Sequence, residues 1–269
     1  MSLFLFDGRN SSTYNLAIGH IGRRGPTPVN TFANTEIISD RAGNRLSPYI
    51  FGARTSPEIS FPLEIYRTIP GGFTLEEASN IQGWLFGRKQ PHNLTIINTQ
   101  RGTRTYRCFL TNPQIVILDG NVVGWQFTVE CIQPYTTGEV RTIPLYYALT
   151  EPSSTVIIDN DSNIDDFIYP TIVLRYSTLR RTHVRINGLE VYCNFQDPLT
   201  GVNEVIINNN LRDVRTSVSQ SIFNGLSLIN FRWLRLVKGR NEIRVLVLDT
   251  TNLISIELMF IPKYAICGF

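Results

Sequence analysis

The chain has 269 residues, with 25 Lys and Arg against 22 Asp and Glu, a formal net charge of +3, and 42% hydrophobic and 11% aromatic residues. That length fits one large or two ordinary domains with ample apolar content for packed cores, and the charges divide so evenly between the halves that neither carries the single-sign field of a dedicated nucleic-acid or anionic-membrane binder. No apolar run reaches the roughly 18 residues of a membrane span, and Met1-Ser2-Leu3-Phe4-Leu5-Phe6 meets Asp7-Gly8-Arg9 too soon for a secretory signal, so a protein made in a cytoplasm is expected.

Leu3 to Phe6 reads as a first short strand with a turn at Asp7-Gly8, and Tyr14 to Ile18 as a second. Gly19 to Asn30 is loop-like, punctuated by Gly and Pro, with Arg23 and Arg24 exposed in it either as solvated charges or as a contact arm to a neighbouring subunit. Thr35 to Ile38 comes next as a strand, then a turn at residues 40–44. Ser56 to Tyr66 alternates cleanly, Ile59, Phe61, Leu63 and Ile65 on one face. Pro62 lacks an amide hydrogen, so this strand should lie at a sheet edge or pair fully on one side only. A neighbouring subunit is one way to cover such an edge.

Thr74 and Glu77 form a capping box that starts a helix of about three turns. Ala78, Ile81, Gln82 and Leu85 recur at helical spacing with Trp84 beside them, and Gly87 stands where a left-handed cap would end the helix. Leu94 to Ile97 and Thr103 to Leu110 then read as a hairpin joined through Gly102, and Ile115 to Leu118 as a strand turning at Asp119-Gly120-Asn121. Val123, Trp125, Phe127, Val129 and Cys131 alternate with polar or small residues and predict one buried pleat face. The pattern lapses after Pro134. About eight short strands resume from Thr155, with no helical period, which predicts an antiparallel sandwich. Lys238-Gly239-Arg240-Asn241 reads as a hairpin turn feeding the buried Ile243, Val245 and Val247. The expected fold is mainly β: an antiparallel sheet with one covering helix over residues 1–136, a linker at 137–152, and a β-sandwich over 153–269.

Little here promises chemistry. Cys108, Cys131, Cys193 and Cys267 are too widely spaced for a zinc cluster; Cys108 and Cys131 fall on apolar strand faces, as buried small hydrophobes or as disulfide partners. Asp159-Asn160-Asp161-Ser162-Asn163 opens like a calcium loop, but Ile164 replaces the required Gly and Pro170 the bidentate Glu, leaving an Asx-type turn. His20, His92 and His183 are scattered, and no nucleophile elbow or phosphate loop is present, so neither catalysis, cofactor nor metal is expected. Arg101, Arg104 and Arg107 share a hairpin with Tyr106, a mixture that grips single-stranded nucleic acid elsewhere. Strand geometry places Arg104 on the opposite face from the other two, so solvent-facing or inter-subunit roles are expected.

The order of these pieces resembles a family. A helix closing on Ile81-Gln82-Gly83-Trp84-Leu85-Phe86, a hairpin, an Asp-Gly turn and Gly124-Trp125-Gln126-Phe127-Thr128-Val129-Glu130-Cys131 before Pro134 are similar to the distal tail (Dit) proteins of long-tailed bacteriophages, hubs of the siphophage tail tip or baseplate. Gly239-Arg240-Asn241-Glu242-Ile243-Arg244-Val245 matches a turn of that family's C-terminal sandwich, which resembles galectins and carbohydrate-binding modules. The resemblance implies a virion protein whose N-terminal domains form a ring of six copies around a DNA channel while the sandwiches project outward. Its partners would be the tail tube protein, a tail-tip hub or tail-associated protein, and receptor-binding or side-fibre proteins. Because a basic lumen would grip phosphates, Arg23, Arg24, Arg101, Arg104 and Arg107 are expected to be paired or turned from the channel; with Pro62 they are the candidate subunit contacts. The alternatives are a sugar-binding module that stacks glycan rings on Tyr192, Trp233 or Tyr264, or another ring protein with a similar small sheet.

Overall fold

The computed structural model describes residues 2–19, 35–40, 49–55, 59–98, 102–147, 153–199, 204–217, 226–229, 233–249 and 252–266. The chain divides into two compact units, Met1–Gly138 with Tyr264–Phe269, and Glu139–Lys263. Arg23, Arg24 and Arg101 lie outside the described residues.

In the front unit the strands are β1 (Leu3–Phe6), β2 (Arg9–Asn10), β3 (Leu16–Ile18), β4 (Thr35–Asp40), β5 (Tyr49–Thr55) and β6 (Ile59–Arg67). The helix α1 (Leu75–Phe86) comes next, then β7 (His92–Asn98), β8 (Gly102–Leu118), β9 (Asn121–Cys131) and β10 (Tyr135–Thr137). The order β2-β1-β7-β8-β9-β6-β3 makes one antiparallel sheet, while among the described residues β4 and β5 pair with each other alone. The sheet closes on itself. An isolated bridge joins Ser2 to Ile18, whose amide donates to the Ser2 carbonyl at 2.9 Å, so β3 returns to the start of β1. Inside lie Phe4, Phe6, Phe61, Ile65, Leu94, Trp125, Phe127 and Val129, all at most 2% exposed.

The capping box of α1 is present: Thr74 Oγ accepts from the Glu77 amide at 3.2 Å and the Glu77 carboxylate from the Thr74 amide at 2.9 Å. The helix buries Ile81, Trp84 and Leu85, whereas Gln82 is exposed. Trp84 therefore belongs to the packed face: it stacks on Tyr14 and Phe4, and its indole N–H donates to the Phe6 carbonyl at 3.0 Å. Gly87 does not take a left-handed cap, since its φ is −76°. Glycine is required there by space, because a Cβ would stand 2.7 Å from the Gly83 carbonyl oxygen. Gly124 is tighter still, with a Cβ position 2.2 Å from the Ile65 carbonyl oxygen where β9 runs beside β6.

The rear unit is a sandwich of β11 (Arg141–Tyr147), β12 (Ser153–Asn160), β13 (Thr171–Tyr176), β14 (Leu179–Ile186), β15 (Leu189–Leu199), β16 (Glu204–Asn208), β17 (Asp213–Thr216), β18 (Leu226–Ile229), β19 (Gly239–Asp249) and β20 (Leu253–Phe260). Its sheets run β11-β20-β13-β16-β17 and β12-β19-β14-β15-β18. Ile172, Leu174, Val205, Ile207, Ile256 and Leu258 of one sheet and Val184, Ile186, Val191, Ile243, Val245 and Val247 of the other form one core.

Two boundaries differ from expectation. The segment expected as a linker, 137–152, contains β11, which pairs along β20 from Arg141↔Phe260 to Tyr147↔Ser255; Pro144 and the Gly-Glu before it disguise a strand. The sandwich also stops short of the C-terminus: β21 (Lys263–Ala265) pairs with β10, and Ile266, 2% exposed, sits in the front core. Ser227 to Leu236, expected as one strand, is β18 and then an isolated bridge between Leu236 and Ile168. Gly239 opens β19 directly. The Asn241 side chain accepts from the Val237 amide and donates to the carbonyls of Val237 and Gly239, making the turn from side-chain bonds rather than as a hairpin.

Candidate assembly surface

The hairpin expected at residues 94–110 and the strand expected at 115–118 are parts of one longer device. β8 runs unbroken through 17 residues and changes partner midway. It pairs with β7 from Gly102↔Asn98 to Cys108↔His92, with β10 at Thr105↔Thr137, and then with β9 from Cys108↔Cys131 to Leu118↔Asn121. A register shift lies between Thr111 and Gln114, where Asn112 takes a positive φ of 52° beside Pro113. Such a bulge bends a strand and re-aims its side chains. Past the bulge, β8 and β9 form an arm that ends at Asp119-Gly120, both with positive φ as a type I′ hairpin turn requires.

The arm is apolar where it should be polar. Ile115 is 48% exposed, Ile117 62% and Leu118 57%. From Phe109 to Leu118 the described part of β8 pairs with β9 alone, so a row of backbone donors and acceptors stands beside exposed apolar side chains. Exposed edges of this kind template pairing with another chain unless blunted by charge, proline, a bulge or cover; Pro113 and the bulge interrupt this edge at 112–114 and leave Ile115 to Leu118 beyond them. No charged residue lies between Phe109 and Leu118.

Around this arm the candidate contact residues take separate places. Pro62 is exposed on β6, opposite Thr128, and β6 pairs fully with β9 but with β3 only over its last residues. This is the one-sided pairing that its missing amide hydrogen permits. Arg104 shares a face with buried Tyr106 and lays its guanidinium over the Tyr264 ring, 3.8 Å from the centroid. Arg107, on the other face, donates to the Asn93 side chain at 3.3 Å.

The polar constellations elsewhere are local. Asp7 holds Arg88 at 2.8 Å and His92 at 2.9 Å, a link across 85 residues that sequence spacing hides. His183 and Arg185 grip Glu190, 9% exposed, and hold its carboxyl below the usual range: the His183 hydrogen bond first, with burial opposing and Arg185 adding. In the calcium-like turn, Asn160 accepts from the amide and hydroxyl of Ser162, and Asp161 pairs with Arg141. Among the described residues, no group of three or more His, Cys, Asp or Glu is placed to hold a metal. Of the aromatics considered for sugar stacking, Trp233 packs against the rear core and Tyr264 lies beneath Arg104 in the front unit. Tyr192 meets His183 edge-on.

Residues 1–133 match the family model of a phage tail protein N-terminal domain. Across the whole chain, the fold is similar to that of the Dit protein of phage SPP1, described as a paradigm of the hub adsorption apparatus in phages that infect Gram-positive bacteria; the TM-score is 0.64 at 12% identity, over 98% of this chain and 99% of that one. This chain has the fold of a Dit protein. The Dit-like fold also matches chains of the phage P2 baseplate in its activated conformation, with Ca at TM-score 0.52 and 13% identity and with Sr at 0.53 and 12%, each over 99% of this chain and 100% of the other. No curated protein matches it by sequence.

Proposed function

We propose that this Dit-like chain is a structural, non-enzymatic component of a phage tail tip. Copies join through the front unit into a ring, with six expected, that leaves a channel for DNA. The ring links the tail tube to tail-tip and receptor-binding components, some of them held by the rear sandwich. The observation that carries this reading is the β8–β9 arm, whose open edge and exposed Ile115, Ile117 and Leu118 have no cover within the described residues. A second copy offers a strand edge to pair with and, unlike water, an apolar surface against which the row can be buried. The match of residues 1–133 to a phage tail domain and the fold shared with the SPP1 Dit protein support the same reading.

Light scattering and negative-stain imaging of the purified full-length chain test it. The expected result is one discrete multimer whose end-on views show a closed ring with a central hole. A chain that stays monomeric at every concentration, with and without its tail tube protein, would overturn the proposal.

A further inference from the structure

At the root of the arm two thiols face each other. Cys108 is the last residue of β8 to pair with β7 and the first to pair with β9, where its partner is Cys131. The neighbouring pair is hydrogen-bonded, since the Ile132 amide donates to the Arg107 carbonyl at 2.9 Å. Hydrogen-bonded and non-hydrogen-bonded pairs alternate along an antiparallel ladder. Cys108 and Cys131 therefore occupy a non-hydrogen-bonded pair, the kind whose Cα atoms lie about 4.5 Å apart with their side chains closest. Disulfides span Cα separations of about 4.4–6.8 Å, so the spacing of such a pair lies within the reach of a disulfide. Both side chains enter the same core, Cys108 fully buried and Cys131 4% exposed, and both are free thiols in this structure.

We propose that Cys108 and Cys131 are a modification site: a disulfide closes across the root of the arm when the chain leaves a reducing compartment and meets a small-molecule disulfide. In the first step one cysteine, as thiolate, attacks a sulfur of glutathione disulfide; that S–S bond breaks, a mixed disulfide forms, and one glutathione leaves as a thiol after taking up a proton. The second cysteine then gives its proton to solvent and attacks the protein sulfur of the mixed disulfide. The Cys108–Cys131 bond forms and the second glutathione departs. Two protein thiols lose two electrons, and one glutathione disulfide is reduced to two thiols.

Burial, and for Cys108 also the neighbouring Cys131, push the thiols up to about 12. Little thiolate exists at neutral pH, so closure is slow and comes after folding. Its effect is to pin the β8–β9 register beside the bulge, where a slip would turn the arm's side chains to the other face.

The test uses the full-length chain, incubated with glutathione disulfide in mildly alkaline buffer, then blocked with a maleimide and cut on the carboxyl side of Asp and Glu. Asp119 and Glu130 lie between the two cysteines, which therefore fall on different peptides. Mass spectrometry should find those peptides linked, two hydrogens lighter than their free-thiol sum, and oxidation should raise Tm in the wild type but not in Cys131→Ser. Recovery of both cysteines as maleimide or separate glutathione adducts, or linkage to Cys193 or Cys267 instead, would overturn the proposal. Should Cys131→Ser not fold, the wild-type masses decide the question alone.

Discussion

The front barrel and the rear sandwich are both antiparallel strands around an apolar core, but they finish their surfaces in different ways. On the rear unit, charges are answered within the unit: Arg175 bridges Glu204 and Glu257, Glu190 holds His183 and Arg185, Lys263 meets Asp166, and Arg215 meets Asp213. Of its exposed apolar residues, Ile157, Leu211 and Leu248 fall on separate strands or turns, and Phe167 and Tyr169 share a segment outside the paired strands, with Arg235 over the Phe167 ring. On the front unit three exposed apolar residues fall within four positions of one arm, along an unpaired edge. Exposed ion pairs contribute only about 0–1 kcal/mol each, so the contrast concerns association more than stability. Among the described residues it is the arm, with its apolar row beside an open edge, that most needs something else to cover it.

If the two units hold separate cores, damage to one should leave the other intact. Trp125→Ala empties the front core and should cost about 3–5 kcal/mol, with hydrogen exchange accelerating in β1, β6, β7 and β9 while β13, β16 and β19 keep their protection. Uniform loss across both units would break the comparison. Trp125→Phe should cost markedly less, because the indole N–H it removes has no acceptor among the described residues. Gly124→Ala forces a methyl group against the Ile65 carbonyl, and should lower stability by about 1–3 kcal/mol, read as a fall in the denaturation midpoint at constant slope.

Smaller effects sharpen the same contrast. Thr74→Ala removes the cap of α1 and should cost about 1 kcal/mol, confined to the front unit. In the rear unit, Glu190 is held below the ordinary glutamate value of 4.5. Its contribution is therefore complete above that value and is lost as pH falls through the folded one. Glu190→Gln should flatten the decline of Tm on acidification below about 4.5 and leave the slope at neutral pH unchanged; an identical acid profile would remove the carboxylate from the account.

Much of the fold is legible because periodicity records burial. The alternation from Val123 to Cys131 marks the strand β9, and Thr74 with Glu77 marks the start of α1 to the residue. What sequence hides is pairing. Nothing between Thr103 and Leu118 announces that one strand serves three partners, β7, β10 and β9, because the switch at Cys108 is a property of the sheet. β11 is masked by Pro144, which lies in a strand paired with β20, and the return of Ile266 to the front core depends on contacts more than a hundred residues apart. The candidate surface is half legible. Pro62 is marked by its missing donor, but the apolar run from Ile115 to Leu118 has the pattern of an ordinary strand, and only the uncovered edge beside it sets it apart.

The arm decides the account. Sedimentation velocity of the full-length chain beside Ile117→Lys, over the same concentration range, compares a surface change expected to alter folding stability by about 0.5 kcal/mol or less with one expected to abolish assembly. The account predicts a discrete multimer for the wild type and a folded monomer with unchanged Tm for the variant. Equal sedimentation of the two, whether both assemble or neither does, would contradict it.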